Sequence, residues 1–380
     1  MMYIPLNQSK AKMIGMIGFL VLFLLVGCQK KNNDSWTIGS PRPKESIVVG
    51  IIHTDNAESG YSYAHDFGLQ EAQFVHGLSD QQIIRKFNIN DSDPIMVESA
   101  MRELIAAGAN VIIGSSWGHM DICEKLATIY PQIIFVNCSG YKHNETNFTN
   151  YFGRIYQARY LSGIAAGMQT KSNKIGYVAA QSKTNSEVTG GMNAFALGVE
   201  SVNPEAKIYT VVTYSWFDPA LERTATQRLI AEGCDVIAQH CDSPSPQLEA
   251  EHAHLWGIGY NSDMRKDAPG AVITSVLWKW SVYYTSLIKN IIDGSFNTEP
   301  YFAGLNEGLV DISPLHPELT TSYMESAIQG ARERIKNGFN IFEGEMRTNE
   351  GLTIGIKDQP LSDEEITGKM NWYYHNIIEL

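Results

Sequence analysis

From Ser46 onward, short apolar β-branched runs alternate with longer segments of helical spacing, and the alternation starts afresh at Lys174. This doubled alternation constrains the fold more than any other feature. Parallel strands need crossover connections, and the crossover helices cover both faces of the sheet. Residues 47–53 (IVVGIIH) read as a buried strand, and 83–88, 111–114 and 133–137 repeat the signal. Helical spacing fills 63–76, 96–107 and 120–130, while 156–168 is a helix rich in Ala and Gly, suited to close contact with a neighbour. The second series places strands over 174–178, 208–213, 236–239 and 256–259, and helices over 186–202, 219–232 and 247–254. Asn203-Pro204 and Asp218-Pro219 punctuate the junctions. A strand over 271–275 and a helix over 281–292 follow. The expected fold class is α/β, with two Rossmann-like lobes around a cleft and a hinge that the chain crosses several times. Ligands of such sheets bind beyond the carboxyl ends of the strands, so an interlobe cleft faces both sets of strand ends.

The first residues have a different logic. Lys10 and Lys12 precede an almost unbroken apolar stretch over 13–24, and Leu25-Val26-Gly27-Cys28 follows directly. Charge, apolar run and small residue in that order form a secretion signal, and the apolar part is short for a membrane span. The cysteine resembles the acylated first residue of a mature bacterial lipoprotein, which makes Cys28 the expected lipidation site. The expected division is a signal peptide over 1–27 and a flexible tether over 28–45, polar and without apolar periodicity. The first lobe then takes 46–160 plus about 272–310, and the second 161–271 plus about 311–375. Roughly 335 residues after the tether exceed one ordinary core, in keeping with two lobes.

Loss of residues 1–27 removes two lysines and no acid, moving the formal charge from −12 to −14. An acidic chain without Lys/Arg clusters excludes nucleic acid as the expected partner. Cys123, Cys138, Cys234 and Cys241 allow three disulfide pairings that the sequence does not rank. None stand at C-x-x-C spacing, and His252 and His254 sit two apart, on different helix faces, so no metal or other cofactor is expected. G-x-x-x-x-G-K-[ST], G-x-S-x-G and H-E-x-x-H are missing from the sequence, and the chain is not expected to be an enzyme.

Aromatics and acids recur at the six strand ends, over 53–66, 115–121, 137–141, 213–218, 239–243 and 259–263. The candidate ligand contacts there are Tyr61, Ser62, Tyr63, Trp117, Asp121, Asn137, Trp216, Asp242, Asn261 and Asp263. Two aromatic faces can sandwich a flat heteroaromatic ring, each worth about 1–3 kcal/mol in base-binding proteins. A carboxylate accepts from a ring N–H or exocyclic amine, and an amide or hydroxyl completes the edge. Taken singly, any of these aromatics reads as core or rim, and Asp66 and Asp218 read as helix caps. Their repetition at six strand ends is what favours a ligand.

Several stretches also match a known family. Residues 59–66 (SGYSYAHD), 151–163 (YFGRIYQARYLSG), 174–180 (KIGYVAA), 193–198 (NAFALG), 216–220 (WFDPA), 242–246 (DSPSP) and 259–264 (GYNSDM) resemble the basic membrane protein family of solute-binding lipoproteins serving ABC importers. The resemblance covers about 46–373. It implies a type I periplasmic-binding-protein fold with three crossings, and a purine nucleobase or nucleoside as ligand. It further implies ABC permease subunits as partners and a monomer held to the membrane through lipid alone. By the same resemblance, Tyr61 and Trp216 stand where the family places stacking aromatics, and Asp121 matches an acid near the base. The ribose end departs from the pattern. Gly259-Tyr260-Asn261-Ser262-Asp263 replaces the usual Gly-Val-Asp-x-Asp, and Trp278 stands where a lysine is usual. That favours a free base such as adenine over a nucleoside, with Trp278 closing over the ribose space. A sensor with the same clamshell, a nucleoside hydrolase and a sugar or autoinducer binder are the rival readings.

Overall fold

In a computed structural model that describes residues 37–380, the first series of runs becomes five parallel strands. They are β1 (Val49–Ile52), β2 (Ile83–Lys86), β3 (Val111–Gly114), β4 (Ile134–Cys138) and β5 (Phe148–Gly153). Helices α1 (Gly60–His76), α2 (Pro94–Ala106), α3 (Met120–Ile129) and α4 (Ile155–Gln169) separate or follow them. The second series gives β6 (Lys174–Ala179), β7 (Lys207–Val212), β8 (Val236–His240), β9 (Trp256–Asn261) and β10 (Val272–Trp278). Its helices are α5 (Ser186–Glu200), α6 (Pro219–Ala231) and α7 (Ser245–His252). Then come α8 (Ser281–Asp293), β11 (Tyr301–Ala303), β12 (Val310–Ile312) and α9 (Ser322–Lys336). A small hairpin of β13 (Met346–Arg347) and β14 (Thr353–Ile354) precedes the last strand, β15 (Ile377–Glu379).

The first sheet runs β11-β5-β4-β3-β1-β2, parallel throughout, and the second β12-β10-β9-β8-β6-β7-β15, antiparallel only at β12. Successive strand residues point to opposite faces. In the first sheet Val49, Ile51, Val111, Ile113, Ile134 and Val136 join a core shared with the second sheet, while Ile52, Ile112 and Phe135 join one capped by α2 and α3. Both faces are apolar, which is why these strands read as continuous runs and not as alternations. Asp93 and Asp218 start α2 and α6 by accepting from two backbone N–H groups each, at 3.0–3.1 Å and 3.0 Å. The Ala/Gly-rich α4 does lie close to its neighbour: a Cβ on Gly163 would fall 2.1 Å from Phe195 O of α5.

Three crossings join the sheets, and they hydrogen-bond to one another. Arg154 N donates to Ala303 O (2.7 Å) and Lys279 N to Leu309 O (2.8 Å). The Trp278 and Trp280 rings stack at 4.4 Å, with Phe152 at 5.0 Å from Trp278. Asp363, from the C-terminal segment, takes a two-pronged ion pair from Arg154 and a 2.9 Å hydrogen bond from Tyr156.

Two expectations are corrected. The strand after residue 271, expected in the first lobe, is hydrogen-bonded beside β9 in the second sheet. A short turn over 262–271 keeps consecutive strands adjacent, and the chain leaves for the first lobe only after Trp278. The tether expected over 28–45 is ordered in its last part: Ile38 rests on the core, Arg42 is buried, and Arg42 N donates to Ile292 O at 3.1 Å. Cys28 and the signal segment lie outside the described residues. Of the three disulfide pairings none forms, since Cys123, Cys138, Cys234 and Cys241 are all free thiols, each buried.

Candidate functional site

The carboxyl ends of both sheets meet where α1 begins. Gly60 N donates to Asp242 O across the gap at 2.8 Å. A side chain at position 60 would crowd that contact, because a Cβ there lies 3.1 Å from Asp242 O and 3.2 Å from the Asn261 Cβ. Asn261 sits at the end of β9 with φ of 65°, a left-handed conformation that Asn tolerates. Its Nδ2 donates to Asp242 Oδ1 at 2.7 Å, while its Oδ1 is buried without a partner. Burial pushes the Asp242 carboxyl well above the usual range, and the like charges of Asp55 and Glu222 add to the effect. Asp55, across the gap, is also raised, by burial first and then by Asp91.

Behind this contact runs a continuous aromatic wall. The Trp216 ring meets His240 edge-on at 5.9 Å, and His240 meets Tyr260 at 4.7 Å. Tyr260 OH accepts from Trp278 Nε1 at 3.1 Å, and the Trp278–Trp280 stack continues to His65, parallel to Trp280 at 4.5 Å. His65 in turn meets Tyr61 edge-on at 4.6 Å. Tyr61 OH donates to Ser115 O at 2.7 Å and lies 3.5 Å from Cys138 Sγ. Burial holds the pKa of both His65 and His240 well below the ordinary value, so both rings are neutral near pH 7.

Two charged groups stand against the wall. Arg159, on α4, is fully buried; its guanidinium lies 4.1 Å from the Tyr260 ring centre, and Nη1 donates to Gln239 O at 2.6 Å. Its Nε and Nη2 have no hydrogen-bond partner. Glu187, in the first turn of α5, keeps 20% of its side-chain surface, and His240 Nε2 stands 3.9 Å from its carboxyl. Its charge is felt by Tyr61 on α1 and Cys138 on β4 as well as by Tyr177, Asp242 and Tyr260. Burial raises its carboxyl to about 7, against the opposing pull of Arg159.

Toward solvent the gap widens into a cleft of about 430 Å³ whose lining includes Glu58, Tyr63, Phe217, Asp242, Met264 and Lys266. Lys266 Nζ lies 4.2 Å above the Tyr63 ring.

Tyr61, Trp216, Asp242 and Asn261 thus converge, with Tyr63 at the outer cleft. Ser62 is buried beneath them, its Oγ 3.5 Å from Asp55 O. Asn137 is buried too, but its Nδ2 donates to Gly114 O and Ser116 O, tying strand ends together. Trp117 is exposed against Tyr141 at 5.5 Å. Asp263 starts a short turn by accepting from Arg265 N and pairs with the Arg265 guanidinium. Two expected roles are corrected. Asp121 is exposed on the outer side of α3 and pairs with Lys142 at 3.0 Å, because that helix buries Ile122, Cys123 and Leu126 instead. Trp278 belongs to the hinge stack and is buried there, not poised over a sugar space. Arg159 and Glu187 were not anticipated. Both stand inside segments that read simply as helix, and only an acid in a first turn and an Arg amid Ala and Tyr hinted at them. His240 and Tyr260 lay within the strand-end stretches without being singled out. Among the described residues no group of three or more His, Cys, Asp or Glu is placed to hold a metal ion.

A cleft lined by Tyr63 and Phe217 together with Glu58 and Asp242 suits a flat ligand rich in N–H donors. Comparison with known proteins agrees with a solute-binding role. The profile described as "ABC transporter substrate-binding protein PnrA-like" matches residues 45–346. The chain is 32% identical over 89% of its length to the "Purine-binding protein BAB2_0673" of Brucella abortus, covering 95% of that protein. It is also 32% identical over 81% of its length to the "Putative ABC transporter glucose-binding protein TsgA13" of Haloferax volcanii, covering 78% of it. Among solved structures, ABC transporter solute-binding proteins from Conexibacter woesei and Aeropyrum pernix share the fold, the type I periplasmic-binding-protein architecture. Their TM-scores are 0.65 and 0.64, at 19% and 16% identity over 77% of this chain and 97% and 92% of theirs. Substrate-binding proteins of ABC importers work outside the cytoplasm, with a small-molecule ligand and permease subunits as partners. The chain belongs to the Bmp family of PnrA-like ABC transporter substrate-binding proteins.

Proposed function

We propose that this protein captures a purine, a nucleobase such as adenine or its nucleoside, between its two sheets and delivers it to an ABC permease from a lipid anchor at Cys28. The observation that carries this reading is the aromatic wall from Trp216 to Tyr61, set beside Glu187 and Asp242, neither of which is ion-paired with a Lys or Arg. A ring entering beside the partly exposed Trp216 and Tyr61 gains stacking, and its amino and imino hydrogens meet carboxyl oxygens. The name of the Brucella relative supports the same ligand class. Mass spectrometry of the small molecule released by denaturing the purified protein tests it. A purine is the expected result. A hexose would instead align the chain with the relative named as glucose-binding, and would overturn the proposal. The anchor is tested separately: Cys28→Ser should move the protein from the membrane to the soluble fraction, and a mutant that stays with membranes removes that part of the reading.

A further inference from the structure

Glu187 is the carboxyl beside the aromatic wall that no donor among the described residues reaches. Among the described residues no hydrogen bond or ion pair within 3.5 Å reaches its carboxyl, and its side chain keeps 20% of its surface beside the His240 ring. The groups around it are Arg159 on α4, Tyr177 on β6, His240 and Asp242 at the end of β8, Tyr260 on β9, Tyr61 on α1 and Cys138 on β4. Of these only Arg159 is a cation, and it is held under the Tyr260 ring with one donor committed to Gln239 O. Burial already holds the neighbouring Asp242 toward its neutral form, and an ionised Glu187 would meet the same desolvation. On the hinge side, Glu187, Tyr156, Gly190 and Gly191 line a void of about 10 Å³, room for one water at most.

Resting on the purine reading above, we propose that Glu187 reads the hydrogen-bonding edge of the bound base with a neutral carboxyl, its carbonyl oxygen accepting from an exocyclic amine and its hydroxyl donating to the adjacent ring nitrogen. That pairing fits a 6-aminopurine. On the edge formed by the C6 substituent and N7, a 6-oxopurine presents two acceptors, so the carboxyl hydroxyl serves one and its carbonyl oxygen faces the other without a donor. Glutamine presents the same donor and acceptor side by side, as it does to adenine in DNA, and cannot titrate. The position of the carboxyl near neutrality agrees with this. A ligand that selects the protonated form binds with constant affinity below about pH 7 and more weakly above it.

Calorimetric titration of the ligand-free full-length protein with adenine, hypoxanthine and guanine, between pH 6 and 8.5, decides the matter. In wild type, the adenine dissociation constant should be flat near pH 6 and then rise toward about tenfold per pH unit above the carboxyl's pKa. Hypoxanthine and guanine should bind about tenfold or more weakly than adenine at pH 6. Glu187→Gln should keep the pH 6 affinity for adenine within a few-fold and lose the pH dependence. A measurement on wild type alone guards against a variant that does not fold. Adenine titrated at pH 8.5 in two buffers of different ionisation enthalpy should show uptake of close to one proton, falling toward zero at pH 6. Adenine affinity independent of pH, or a pH dependence that persists in Glu187→Gln, overturns the assignment of Glu187. Tighter binding of the 6-oxopurines overturns the neutral-carboxyl pairing. No heat with any of the three purines at any pH is a different result, and it removes the purine reading itself.

Discussion

Replacement of Gly60 by alanine tests whether the contact between α1 and the end of β8 belongs to the ligand-holding state. The added Cβ would lie 3.1 Å from Asp242 O and 3.2 Å from the Asn261 Cβ, so one or both must retreat by a few tenths of an ångström. Retreat lengthens the 2.8 Å hydrogen bond from Gly60 N to Asp242 O, worth about 1 kcal/mol net. Crowding adds a cost at the low end of the usual 1–3 kcal/mol for overpacking, since the contact is between surfaces that can slide. Together these give about 1–2 kcal/mol against the closed form, or roughly a 5–30-fold weaker affinity. The backbone at position 60 is not in a left-handed conformation, and alanine is the better helix former, so α1 itself gains a few tenths of a kcal/mol. Calorimetry with adenine as the probe and thermal melts of ligand-free protein should therefore move in opposite directions, weaker binding with an unchanged or higher melting temperature. Unchanged affinity, or a lower ligand-free melting temperature in step with it, would show that the contact is part of the fold and not of closure.

Trp216→Ala should weaken adenine binding by about 1–3 kcal/mol, the loss of one stacking face, read by the same titration. Because Trp216 also rests on the cores of the second sheet, ligand-free stability should fall too, though by less. Trp278→Lys should lower stability by at least about 3 kcal/mol in urea unfolding and create no affinity for adenosine, because the indole fills the hinge and a cation there is buried. His53 and His119 are held by burial at about 4. The unfolded chain takes up their protons first, near the ordinary 6.5, so stability is intact above that value and drains away as pH falls toward 4. By pH 5 the loss should be about 2 kcal/mol per histidine, measured by urea unfolding at pH 7.5 and 5, and His53→Leu should remove about half of it.

The two sheets were legible because their strands are buried on both faces and announce themselves as unbroken apolar runs. β5 was not, since Thr149 and Asn150 interrupt it although both are buried. Sequence order suggested that the chain returned to the first lobe at about 272, but a short connection between β9 and β10 kept them paired, and connection geometry is visible only in three dimensions. The aromatic side of the site was readable from its recurrence at strand ends. The acids were not. A motif can place Asp121 at the start of a helix without showing that its side chain turns outward to Lys142. Glu187 occupies the equivalent turn of α5 and faces inward, a difference of helix rotation that no residue type records. Asp218, read as a cap, is one.

The four unpaired thiols have a consequence for how such a chain is made. Outside the cytoplasm cysteines are oxidised readily, yet Cys123, Cys138, Cys234 and Cys241 all end as buried thiols. Burial pushes each of them above the ordinary thiol range, so the folded protein offers almost no thiolate to an oxidant. The exposed interval is the nascent one, between export and closure of the cores. Folding and oxidation then compete in time, and the native state is reached only where collapse around β4 and β8 is the faster. A refolding yield that rises with added reductant, at an unchanged final melting temperature, would be the signature of that race.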